Sequence, residues 1–102
     1  MAEQLSQAWL DAQLAGAPEE LVARTREFIR GQGGAVTAEA LARAGDAALA
    51  TAMAESSDRT AALDLLAADA LVTLALAAQT DADPDTLRAF AARLRRQGGG
   101  AA

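Results

Sequence analysis

The chain contains no histidine, cysteine, tyrosine or lysine. Each absence removes a class of chemistry. Proton transfer near neutral pH usually relies on His, and covalent catalysis on a base beside Ser or Cys. Without Cys there is no disulfide framework and no thiolate metal site. Carboxylates, arginines and hydroxyls remain. Paired carboxylates can hydrolyse glycosides, but nothing in the spacing of the acids here calls for it. The residues point away from an enzyme, and no catalytic residue, cofactor or metal ligand is expected.

Positive charge is also scarce. Nine arginines face fourteen Asp and Glu residues, for a net charge of −5. That balance disfavours nucleic acid and an anionic membrane surface as partners. The opening stretch MAEQLSQAWLDAQLAG has acids and no basic n-region, so no signal peptide is expected and a cytoplasmic location follows by default.

Alanine is abundant, at thirty of 102 residues. It is the best helix former, and its small side chain lets helices approach closely. It also buries little area, so the core will be thin. The composition, 52% apolar and 23% charged, is that of a globular chain. The expectation is an all-α fold: a small up-down bundle of four to five short, Ala-rich helices. Helices three and four form its central hairpin. One domain spans residues 1–97, and 98–102 form a flexible Gly/Ala tail.

The fourth segment, TAALDLLAADALVTLALAAQ (60–79), organises the rest. At about 100° per residue it shows two apolar arcs. One holds Leu63, Leu66, Ala67, Ala70, Leu71, Leu74, Ala77 and Ala78. The other holds Leu65, Val72 and Leu76, on roughly the opposite side. Asp69, Thr73 and Thr80 separate them on one flank and Asp64 interrupts on the other. An ordinary surface helix needs one stripe. Two arcs mark a bundle centre, or a wall shared with another chain. A membrane span is the competing reading, since a span needs about 20 apolar residues. Asp64 and Asp69 argue against it, because mid-bilayer carboxylates cost several kcal/mol. No membrane partner is expected. The two acids lie about 140° apart on the helix and so do not share one site. They are expected at bundle edges, meeting Arg side chains or water.

The flanking segments follow helix start and stop rules. Residues 2–15 read as a helix with Leu5, Ala8, Trp9 and Ala12 on one face and Leu10 and Leu14 off it. A second helix runs from about Pro18 to Arg30 with Leu21, Thr25, Phe28 and Ile29 buried and an i,i+4 pair between Glu20 and Arg24. Gly31-Gln32-Gly33-Gly34 ends it; a phosphate loop needs a preceding strand and a Lys, and neither is here. Thr37 caps a third helix reaching about Ser56, with a stripe of Leu41, Gly45, Ala48, Leu49, Ala52 and Met53. A fifth helix starts at Asp83-Pro84-Asp85 and buries Leu87, Phe90, Ala91 and Leu94. Asp81, Asp83 and Asp85 resemble the start of a calcium loop, but Thr86 and Ala92 stand where Gly and Glu are needed.

The run LDLLAADALVTLALAAQ (63–79) resembles one helix of polyprenyl synthases, which carries a similar Leu/Ala–Asp–Ala–Leu pattern. Those enzymes are much longer and bind magnesium through two aspartate-rich motifs. Neither motif occurs here, so no residue roles carry over.

The leading expectation is a non-enzymatic interaction module. It homodimerises or docks on a protein partner through Leu65, Val72 and Leu76, with Asp69 beside them. The alternative is a small carrier holding an apolar ligand between helices, walled by Trp9, Phe28, Met53 and Phe90.

Overall fold

The computed structural model describes residues 4–54, 58–82 and 91–96, and these form helices and their connections with no strand. The elements are α1 (Gln7–Leu14), α2 (Glu19–Gly31), α3 (Ala38–Ala54), α4 (Asp58–Ala82) and a short helical segment, α5, at 91–96. The fold is an all-α bundle with α3 and α4 as its central hairpin. Most inter-helix contact is between these two, and α2 packs across both.

Local chemistry sets the ends. The Ser6 hydroxyl accepts the Trp9 backbone N–H at 3.0 Å and starts α1 there, as an N-cap oxygen does for an orphan donor. This is later than the expected start near Ala2. Ahead of Ser6 the chain is tied to the segment before α3, where the Leu5 N–H meets the Val36 carbonyl at 2.7 Å. Pro18 caps α2 instead of opening it. Between α2 and α3, Gly33 and Gly34 both take positive φ, 69° and 68°, a conformation costly for side chains with a Cβ. The Thr37 hydroxyl accepts the Ala40 N–H at 3.0 Å, the expected cap of α3.

Core packing corrects two expected stripes. In α1 the buried residues are Leu10 and Leu14, while Ala8 and Ala12 are exposed. Two leucines four apart offer more area to bury than two alanines. In α3 the inward face is Ala40, Leu41, Ala44, Gly45, Ala48 and Ala52. Leu49 and Met53 fall outside it, and Met53 is 79% exposed.

The inward face of α4 is also rotated. Ala67, Leu71, Leu74 and Ala78 are buried as expected, joined by Asp64, Ala68 and Ala75. Leu66 is excluded, at 57% exposed. The face is turned toward Asp64 by roughly 60° on a 100°-per-residue wheel. Two contacts hold that rotation. Asp64 is bonded to Arg24 of α2, and the Ala68 carbonyl is among the atoms of α4 that lie against Gly45 of α3. Along this helix, Asp58–Asp81 is long and apolar enough to cross a membrane by length and composition, with mean hydropathy 1.9 over its most apolar 18-residue window. Its inward face carries the Arg24–Asp64 ion pair.

Candidate interaction surface

The surface begins at Gly45. A Cβ built there would stand 3.3 Å from Val72 Cγ2, 3.5 Å from Leu71 Cβ and 3.6 Å from the Ala68 carbonyl oxygen. The lack of a side chain lets α3 and α4 close to van der Waals distance. Beside this contact lies a groove of about 400 Å³. Ala42, Gly45 and Ala68 line it with Leu49, Leu65 and Val72.

Leu65 is 48% and Val72 37% exposed, and Leu49 is also exposed. Burying such residues against another surface recovers about 25 cal/mol per Å² of apolar area. Asp46 of α3 and Asp69 of α4 join the lining, one from each wall, and both are exposed. Leu76, expected on the same face, is partly buried and packs against the core.

The segment α5 lies against the groove. Leu94 and Arg95 contribute to its lining, and Leu94 packs on the core. Arg93 donates through Nη1 to Glu39 Oε1 in the first turn of α3 at 3.0 Å, between two exposed side chains. A short helix carrying Leu and flanking Arg thus already rests on this face. Sequence reasoning missed that relationship. The alternation of Leu94 with Arg93, Arg95 and Arg96 was a signal of it, but was readable as C-terminal dipole compensation alone.

The two acids of α4 separate. Asp69 is exposed beside the groove. Asp64 was expected at a bundle edge and is instead fully buried. Arg24 holds it with two hydrogen bonds, Nε to Oδ1 at 2.5 Å and Nη2 to Oδ2 at 3.1 Å. A buried carboxylate without a partner is strongly disfavoured, and a two-pronged guanidinium satisfies it. Donation to Asp64 raises the Arg24 pKa further above its ordinary value. Arg24 also bonds Glu27 at 3.0 Å instead of Glu20, and sits 4.7 Å from the Phe28 ring centroid, within cation–π range.

The cavity-wall candidates do not converge on either recess described here. Trp9 is partly buried and donates its indole N–H to Asp81 Oδ2 at 3.1 Å. Phe28 lies under the Arg24 guanidinium. Met53 faces solvent. Phe90 lies outside the described residues, as do Asp83 and Asp85 of the aspartate run and the 98–102 tail. A second recess of about 280 Å³ lies between α1 and the end of α2, lined by Gln7, Leu10, Arg26, Ile29, Arg30 and Val36 together with Gly33 and Gly34. Arg26 there is bonded to Asp11 and Gln7.

No protein-family model, curated protein or solved structure matches this chain.

Proposed function

We propose that the protein is a non-enzymatic helical interaction module, which docks on another protein chain through the α3–α4 groove. The observation that carries this reading is Leu65 and Val72, half-open to water over a floor of Ala42, Gly45 and Ala68. Contiguous exposed apolar surface with a polar rim is a recurrent mark of protein interfaces. Asp46 and Asp69 supply such a rim. The side-chain inventory supports the non-enzymatic half of the proposal, because the chain has no His, Cys, Tyr or Lys.

The test compares the full chain with Leu65→Glu and Leu66→Glu. Both leucines are exposed, but only Leu65 lines the groove. Light scattering reads self-association, and capture from an extract of the source organism reads foreign partners. Association lost in Leu65→Glu and kept in Leu66→Glu supports the reading. Association indifferent to Leu65, or none of either kind, removes it.

A further inference from the structure

We infer that the partner of the α3–α4 groove presents a basic amphipathic helix, with leucine-type side chains on one face and Arg or Lys on its flanks, supplied by a different protein. The inference rests on the docking reading above and names the chemistry of what docks.

Three observations carry it. The first is the charge of the lining. Asp46 and Asp69 bring a carboxylate from each wall, and the lone cation among the lining residues is Arg95 of α5. An occupant of the open part meets apolar side chains in the middle and negative charge on both sides. Complementary charge favours an incoming helix with cationic flanks and disfavours an acidic one. The second is that this face already accepts such a helix. Leu94 of α5 packs on the core beside the groove, while Arg93 reaches Glu39. Helix-in-groove recognition needs this combination, an apolar anchor with polar flanks. The third is that the chain's own basic helix is committed. Leu94 is partly buried and Arg93 is paired within the same copy, yet Leu65, Val72 and Leu49 remain exposed. A second copy has its own α5 engaged in the same way, and the chain as a whole is acidic, with a net charge of −5. The exposed apolar lining fits a helix from elsewhere.

The test uses the full chain and two labelled synthetic peptides in fluorescence anisotropy. One is an amphipathic helix of Leu, Ala and Arg with Leu at i, i+4 spacing; the other has every Arg replaced by Glu. The Arg peptide is expected to bind at least tenfold more tightly than the Glu peptide. Leu65→Glu should weaken it by tenfold or more. The double variant Asp46→Asn, Asp69→Asn should weaken it about threefold or more and flatten its salt dependence, since screening acts on the lost charges. A control with the same charge change away from the groove, Glu19→Gln with Glu20→Gln, should leave affinity unaltered. Circular dichroism confirms that each variant retains its helix.

Equal binding of the two peptides, or equal weakening by the groove and control variants, overturns the inference. So does a stable dimer of the wild-type chain that Leu65→Glu dissociates, because a second copy then fills the groove. In that last case the docking reading survives. If Leu65→Glu changes neither peptide binding nor any association, both fall.

Discussion

Arg24 and Asp64 stand forty residues apart in the chain and meet in a two-pronged ion pair that fastens α2 to α4. Asp64 is fully buried, while the Arg24 side chain keeps partial contact with water. The two partners are therefore not equivalent to mutation. Arg24→Ala leaves a carboxylate in the core with no cation and should cost about 3 kcal/mol, the lower end for a broken buried pair given Arg24's partial exposure. The double variant Arg24→Met, Asp64→Leu removes both charges and keeps volume. It should recover most of that loss, because apolar replacement of a buried pair is often neutral or better. Urea unfolding of the two proteins checks both values. A double variant as unstable as Arg24→Ala would contradict the account.

Gly45 and Val72 should be energetically coupled. Replacing a mid-helix Gly with Ala gains about 1 kcal/mol of helix propensity. Here the new Cβ would lie 3.3 Å from Val72 Cγ2, and a helical Val has little freedom at χ1 to move away. The gain should be mostly cancelled in the wild-type background and restored in a Val72→Ala background. A double-mutant cycle should therefore give a coupling of about 0.5 kcal/mol or more, within the range for residues in contact. Additive effects would show that α3 and α4 do not close on this point.

The architecture was legible because it rests on local rules. Ser/Thr caps, Pro and Gly at helix ends and an alanine-heavy composition place the helices, and the central α3–α4 hairpin was expected with them. Helix faces were less legible, for one physical reason. Periodicity weighs each residue by its own polarity, whereas burial depends on what a neighbour brings. Asp64 looks like a boundary until Arg24 arrives from another helix and makes it the middle of the buried face. Leu66 then has no room inside. Leu49 and Met53 lose to Ala40 and Ala44 because close helix approach favours small residues over large ones. The groove follows from the same effect. Leu65 and Val72 were identifiable as surplus apolar surface, but Asp46 and the seating of Leu94 depend on tertiary placement.

Thr25 is fully buried and its hydroxyl has no hydrogen-bond partner. Two other helical threonines satisfy theirs locally. Thr51 donates to the Ala47 carbonyl at 2.8 Å and Thr80 to the Leu76 carbonyl at 2.9 Å. An unmade buried hydrogen bond costs about 1–3 kcal/mol. Thr25→Val keeps the branched shape and discards the orphan oxygen. It should stabilise the protein by about 1 kcal/mol, read as a higher urea midpoint with an unchanged slope. Loss of stability on this change would mean that the hydroxyl has a partner in solution, such as a buried water.

Stability should be almost independent of pH from about 6 to 10. Stability varies with pH only where folded and unfolded states bind different numbers of protons. The side chains that ordinarily titrate in this window are His, Cys, and at its upper edge Tyr and Lys, and the chain has none. Arg24 is the group whose shift has a clear sign. Its pKa is raised by hydrogen bonding to Asp64. A raised cationic pKa contributes stability that is fully present below the unfolded value and lost only as pH climbs through the folded one. For Arg both lie above about 12, so the contribution is constant across the window. Urea midpoints measured at pH 6, 8 and 10 should give unfolding free energies within about 0.3 kcal/mol of one another, because a one-unit shift of a single group already amounts to 1.36 kcal/mol. A larger slope would contradict this account.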